Sequence, residues 1–151
     1  MSLCFDFSED QIMMRDAIQT FCKEEIAPLV EEAEKTESFP LELYPKLAEM
    51  GLLGICFEEK YGGLGLDKVT QCILAEELGK TCAGIAKGIA AHVDLGSLPV
   101  AKFGTEEQKQ KYLVPSIAGE MIGALAITEP NAGTDARSIK TNAVNDGDSW
   151  I

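Results

Sequence analysis

Helical periodicity fills residues 8–118 and breaks off at Gly119, and this restricts the possible folds more than any other feature of the chain. Two capping boxes bracket the stretch, Ser8-x-x-Gln11 and Thr105-x-x-Gln108. In each, the hydroxyl accepts from the backbone N–H three residues on, and the glutamine side chain returns a bond to the capping residue. Behind Ser8, the residues Ile12, Met14, Ile18, Phe21, Cys22 and Ile26 recur at helical spacing and give a first helix an apolar face. Pro28 ends or bends that helix, because it has no N–H to donate. Residues 31–38, mostly Glu, Lys and Ser, read as its solvated tail. A second helix opens at Phe39-Pro40, with Pro45 as an alternative start of its regular part, and closes at Met50 with Gly51 just beyond. The continuous apolar run Leu52-Leu53-Gly54-Ile55 is expected to be buried. Asp67 caps a third helix, with Val69, Cys72, Ile73 and Leu78 as its stripe and Gly79 as its stop. A fourth covers 82–103, bent or shortened by Gly96-Ser97-Leu98-Pro99. Thr105 opens a short charged fifth, which Pro115 ends.

After Gly119 the pattern changes. Residues 121–127 and 138–144 read as strands, the second rich in Ile, Thr and Val. Asn145-Asp146-Gly147-Asp148 is a hairpin turn, and Ser149-Trp150-Ile151 starts the return strand. A two-stranded hairpin is marginal by itself, so these residues read as the opening of a β-domain. The expected division is a helical domain over 1–118 and the start of a second domain over 119–151.

A formal net charge of −12 argues against nucleic acid and against an anionic membrane surface, both of which call for a basic patch. At 46% hydrophobic residues the chain has enough apolar surface for a core. Cysteines at 4, 22, 56, 72 and 82 show no CxxC spacing, so they indicate neither a disulfide framework nor a zinc site. They read as reduced thiols of a reducing compartment. No apolar run approaches membrane-spanning length and no signal-peptide pattern is visible, so an acidic cytoplasmic protein is expected.

Several groups invite a chemical reading that the residues do not support. Gly63-x-Gly65 has Lys68 where a dinucleotide loop needs its third glycine, and reads as a structural turn. Glu76 and Glu77 are adjacent on a helix and point about a hundred degrees apart, so they form a solvated shoulder rather than an acid–base pair. His92, the only histidine, reads as a satisfied structural residue. Lys109 and Lys111 read as alternating charge on an exposed helix. The small residues Ala83, Gly84, Ala86, Gly88, Ala90 and Ala91 admit either tight helix packing or a ligand.

The stretch Ala126-Ile127-Thr128-Glu129-Pro130-Asn131-Ala132-Gly133-Thr134-Asp135 carries the most chemistry. Glu129 precedes a proline and is biased toward extended backbone. Gly133 and Asn131 are candidates for positive φ in the turn that follows. Such a turn either is an ordinary strand-to-loop connection or exposes several N–H groups, with the Thr128 and Thr134 hydroxyls, as a cavity for an anion such as phosphate.

The order of residues resembles the flavin-binding signature of the acyl-CoA dehydrogenase family: an aliphatic strand, Thr128-Glu129-Pro130, a small residue, Ala132-Gly133, a hydroxyl and Asp135. Gly51-Leu-Leu-Gly-Ile55, Glu59-Lys-Tyr-Gly-Gly63 and Phe103-Gly-Thr-Glu-Glu-Gln-Lys-Gln-Lys-Tyr-Leu113 extend the likeness along most of the chain. Glu58 stands where relatives commonly have Pro, and Leu125 where many carry an aromatic residue. The resemblance implies a mainly α fold, an N-terminal helical bundle of this family's type followed by the first strands of an incomplete β-barrel-like domain. It implies FAD as cofactor and an acyl-CoA thioester as substrate, oxidised at Cα–Cβ as a carboxylate removes the α-proton and the β-hydrogen passes to the flavin. Leu125, Ala126, Ile127 and Thr128 would run along the isoalloxazine, and Gly133 and Thr134 would face the pyrophosphate. Thr134 would also lie near the substrate, and Lys87, Gly88, Ala91 and Leu95 would line the acyl pocket. Donors aimed at the flavin's pyrimidine edge favour the electron-rich reduced ring.

The same resemblance puts the catalytic glutamate and a second flavin contact beyond Ile151, so no catalytic residue is assigned within the chain. The 151 residues are therefore expected to be a front fragment, inactive alone and binding FAD weakly or not at all. The electron acceptor would be electron-transfer flavoprotein, and the full-length protein a homotetramer or homodimer, cytoplasmic in a bacterium or in the mitochondrial matrix of a eukaryote. Related alternatives are an acyl-CoA oxidase or nitroalkane oxidase; an alternative of another class is a non-catalytic helical assembly module.

Overall fold

The computed structural model describes residues 6–151, and Cys4 lies outside them. Helices α1 (Glu9–Phe21), α2 (Ala27–Thr36), α3 (Leu43–Glu49), α4 (Lys68–Thr81), α5 (Ala83–Ala90), α6 (Leu98–Phe103), α7 (Glu106–Gln108) and α8 (Val114–Ile117) come first. A two-residue antiparallel pair follows, β1 (Asn145–Asp146) with β2 (Ser149–Trp150). Both capping boxes form: Ser8 caps α1 and Thr105 caps α7, each paired reciprocally with its glutamine. Asp67 caps α4 through the Thr70 N–H at 2.8 Å.

Three prolines expected to end or bend helices do not end them: the helical runs continue past each. Pro28, Pro99 and Pro115 each stand two residues past a widened π-turn, at 22–26, 91–97 and 109–113 respectively. Proline cannot bond the carbonyl four residues back and its ring presses on that carbonyl. Widening the preceding turn moves the carbonyl aside. The bonds Ala27 N–H to Cys22 O, Leu98 N–H to Val93 O and Val114 N–H to Lys109 O carry the chain through. Helices α1 and α2 are thus one offset rod, as are α5 and α6, and Pro115 lies inside the helical run it was expected to close.

The core is packed between α1 and α4 and between α4 and α5, and it takes in α3 and the apolar run 52–55. Ile18, Ile26, Leu43, Leu47, Leu53 and Ile55 are at most 1% exposed. Burying each such side chain contributes about 1.5–3 kcal/mol before entropy is counted. Met50 ends α3 and Gly51 takes φ +72°, as its place just past the helix end predicts. Phe39 and Pro40 precede the helix, which starts at Leu43; Pro45 then falls in its first turn, where a missing N–H costs nothing.

Helix α4 corrects three expectations. It runs past Gly79 to Thr81. Val69 is 46% exposed and Cys72 is exposed, so the buried face is Thr70, Ile73, Leu74, Glu77 and Leu78. Glu77 is 6% exposed rather than solvated, with Lys80 Nζ 2.9 Å from its carboxylate and 2.8 Å from that of Glu76. The lysine holds the Glu77 carboxyl below the usual range. The pair remains structural.

Beyond α8 the chain leaves through Gly119 at φ +74°. The expected strands 121–127 and 138–144 do not form, because nothing among the described residues offers them a ladder partner. Both stretches stay irregular and largely exposed, and the hairpin is confined to the two residue pairs of β1 and β2, with Val144 and Ile151 bonded at its base. Gly147 supplies the positive φ of the turn.

Candidate functional site

The site begins on the α5–α6 rod. Gly88, His92 and Gly96 follow one another at four-residue intervals and share a face. A Cβ at Gly88 would lie 2.4 Å from the Phe39 ring, so that ring packs against bare helix backbone. His92 is 1% exposed and engaged at both nitrogens. Nε2 lies 3.1 Å from the Ser116 carbonyl, and the Gly123 N–H donates to Nδ1 at 2.9 Å. A backbone N–H at Nδ1 requires a lone pair there, so Nε2 carries the proton and donates to Ser116. The Tyr44 ring meets the imidazole edge-on at 5.2 Å. Burial holds the His92 pKa below its ordinary value. The neutral ring therefore stabilises the fold fully above the unfolded value, and this contribution is lost as pH falls through the lowered one.

Gly96 completes the contact. A Cβ there would stand 2.5 Å from the Gly123 carbonyl carbon and 2.6 Å from its Cα. Two glycines thus let the backbone of the departing segment lie directly on the widened turn of the rod. Both His92 and Gly96 belong to that turn, which Pro99 imposes.

From Gly123 the chain runs through the stretch singled out in the sequence. Leu125 and Ile127 are 50% and 53% exposed, and Ala126, Thr128, Gly133 and Thr134 are also exposed. Glu129 and Ala132 exchange backbone hydrogen bonds of 2.8 and 3.2 Å, closing the turn around Pro130 and Asn131. Neither Gly133 nor Asn131 takes positive φ; that bridge turns the chain without it. A Cβ at Gly133 would meet nothing within 4 Å. Among the described residues, the backbone N–H groups of Ala126, Ile127, Thr128, Gly133 and Thr134 and both threonine hydroxyls make no hydrogen bond. The arrangement offers donors on an open face, which suits an anionic or carbonyl-rich ligand.

Glu129 holds this stretch in shape. Its carboxylate accepts from the N–H of Lys140 at 3.0 Å and of Thr141 at 2.8 Å, and from the Thr141 hydroxyl. Those bonds, the Thr141 hydroxyl first, push its pKa down. It is an ionised tether, not a general base. The tether is present above the ordinary glutamate pKa and lost as pH falls through the lowered value. Glu129→Ala should speed amide exchange at Lys140 and Thr141 while the amides of Ile73 and Leu74 keep their rates, as hydrogen exchange followed by NMR can show.

The predicted acyl-pocket residues occupy one side of the rod. Lys87 and Leu95 are exposed and Ala91 is half-buried, forming a stripe beside Gly88, His92 and Gly96. Two grooves border α5: one is lined by Phe39 and Cys82, the other by Leu74 and Leu78 of α4. Lys87, Gly88, Ala91 and Leu95 line neither groove. The contact at Gly123 joins the helical group to the loop group. In the sequence, nothing marks His92, Gly96 and Gly123 as that joint. The four-residue spacing of His92 and Gly96 was visible there, but their partner lies 31 residues from the histidine.

Residues 8–120 match the acyl-CoA dehydrogenase N-terminal domain. A probable acyl-CoA dehydrogenase of Bacillus subtilis is 42% identical over 97% of this chain. A short-chain-specific acyl-CoA dehydrogenase of Clostridium acetobutylicum is equally similar over the same share. In each case the chain spans about two fifths (39%) of the relative's length. Among solved structures, an acyl-CoA dehydrogenase of Bacillus anthracis complexed with FAD superposes with TM-score 0.85 at 42% identity, over 91% of this chain and 24% of that one. Butyryl-CoA dehydrogenase of Megasphaera elsdenii superposes with TM-score 0.88 at 38% identity, over 97% of this chain and 39% of that one. A structure described as an electron transferring flavoprotein of Acidaminococcus fermentans gives 0.93 at 44%, over 99% and 39%. The helical bundle, the open donor-bearing stretch that follows it and these matches lead to one conclusion: the chain belongs to the acyl-CoA dehydrogenase family.

Proposed function

We propose that this chain is the front portion of an FAD-dependent acyl-CoA dehydrogenase, with residues 1–118 as its helical domain and 119–151 starting the next. One observation carries this reading: a stretch with the family's residue order stands exposed, its main-chain donors free among the described residues. The residues fit the cofactor. Ala126, Ile127 and Thr128 supply N–H groups, with the Thr128 hydroxyl, for the flavin edge, beside Leu125. Gly133, with no side chain and open space around it, and Thr134 suit a diphosphate. FAD, when bound, is the two-electron acceptor for oxidation of the acyl thioester. The chain's own share is to orient: Lys87, Gly88, Ala91 and Leu95 flank the acyl group, and Thr134 reaches both ligands. The electron acceptor in this reading is electron-transfer flavoprotein, and the assembly a homodimer or homotetramer.

A fusion tests it. Residues 1–151 replace the matching front two fifths of the Clostridium acetobutylicum relative. The purified fusion should carry flavin, and a short-chain acyl-CoA should bleach its absorbance. The isolated 151-residue chain should hold far less than one flavin and turn nothing over. A folded, flavin-loaded fusion that no acyl-CoA bleaches would overturn the proposal.

A further inference from the structure

We infer that His92 is a positioning residue for the flavin-facing stretch, acting as a main-chain latch that fixes where residues 125–134 begin; the inference rests on the functional reading above. The ring is buried, its tautomer is set by its two partners, and one of those partners is the amide of Gly123. Gly123 stands three residues before Ala126, so its placement sets the height and direction from which the donors of Ala126, Ile127 and Thr128 are presented. The opposite nitrogen is held by the Ser116 carbonyl in the last helix of the bundle. His92 thus bridges the end of the helical run and the start of the exposed stretch across a single ring. The backbone contact between Gly96 and Gly123 leaves little room for the segment to slide. Packing alone does not call for this arrangement: the neighbouring positions Ile89 and Val93 fill the core with hydrocarbon, whereas a buried imidazole must find a partner for each nitrogen.

The two nitrogens can be tested separately. In His92→Asn the side-chain oxygen stands near the place of Nδ1 and can still accept from Gly123. In His92→Gln the amide nitrogen stands near the place of Nε2 and can donate only toward Ser116. His92→Leu removes both. On the 151-residue chain, amide exchange should find Gly123 as protected in His92→Asn as in the parent, and at least tenfold faster in His92→Gln and His92→Leu. Exchange at Ile73 and Leu74 serves as the core control. Equal Gly123 protection in His92→Gln and the parent would overturn the latch. So would a loss at Gly123 matched by an equal loss at Ile73 and Leu74, since that reports general loosening. The fusion supplies the separate functional arm: flavin content should remain near the parent's in His92→Asn and fall in His92→Gln and His92→Leu. Exchange that follows this order with flavin content that does not would overturn the positioning role while leaving the latch and the family reading intact. A parent fusion without flavin would count against the functional reading alone, and the exchange result would still decide the latch.

Discussion

Gly63→Ala should destabilise the chain severely, by about 4–6 kcal/mol. A Cβ at this position would lie 2.1 Å from the Phe57 carbonyl oxygen, 2.5 Å from its carbon and 2.8 Å from the Gly54 oxygen. All three are backbone atoms, so no side chain can swing away. The surrounding loop is also fastened to them. Leu64 N–H donates to Gly54 O at 3.0 Å, Gly65 N–H to Phe57 O at 2.9 Å, and Gly63 N–H to Glu58 O at 3.2 Å. Making room means moving the loop and losing several of these bonds, each worth about 1 kcal/mol. Overpacking adds about 1–3 kcal/mol. Together these approach the 5–15 kcal/mol by which a domain of this size is typically stable. Leu52, Leu53 and Ile55 come from the same loop and are buried, so the damage reaches the core directly. Urea unfolding monitored by circular dichroism measures it. Gly79→Ala is the control: it lies inside α4 with nothing within 4 Å of the added carbon, and should gain about 0.5–1 kcal/mol. A Gly63→Ala midpoint equal to the parent's would contradict this account of the loop.

Gly96→Ala should have the opposite profile, with a modest effect on stability and a large one on function. The added carbon would meet the Gly123 carbonyl carbon at 2.5 Å, its Cα at 2.6 Å and the Ala124 nitrogen at 2.8 Å. Here the opposing backbone opens a segment that is exposed past the half-buried Gly123 and fastened to the rod by the Gly123 bond to His92, so the segment moves and the bundle stays. That movement strains the Gly123 bond to His92 and displaces every donor downstream of it. A misplacement of about 1 Å at groups that orient reactants can cost about a hundredfold in rate. In the fusion, acyl-CoA-dependent flavin reduction should fall on that order, while the unfolding midpoint shifts little. Unchanged reduction kinetics would show that the Gly96 contact does not place the segment.

Local chemistry made most of the bundle legible. Capping residues name their partner three positions on, so Ser8, Asp67 and Thr105 mark helix starts correctly. Gly51 marks a helix end for the same local reason. Pro115 does not close its helical run, because a proline's effect depends on whether the preceding turn can widen, which no residue announces. Gly79 does not stop α4, because a helical glycine stops a helix only where the chain must turn, and α4 still has a core to cover. The burial of Glu77 depends on which face of α4 meets α1, which its own neighbours in sequence do not announce. Residues 121–127 have strand composition, yet a strand needs a partner, and none lies among the described residues. The candidate site divides along the same line. The order of residues from Leu125 to Asp135 pointed to the stretch, and its exposure agrees with that. What holds it in place, His92 on Gly123 and Glu129 on Lys140 and Thr141, spans 31, 11 and 12 residues. Contacts at that separation leave no periodic trace.

The most direct test of the central claim, that residues 125–134 form the face meeting the flavin, is the flavin-to-protein ratio of the fusion carrying Gly133→Phe. Space around Gly133 is open in this chain, so the variant should leave the unfolding midpoint of the 151-residue chain unchanged. In the fusion, the phenyl ring should occupy the place of the diphosphate and reduce bound flavin at least tenfold. A Gly133→Phe fusion that keeps one flavin per chain with the parent's affinity would contradict the claim.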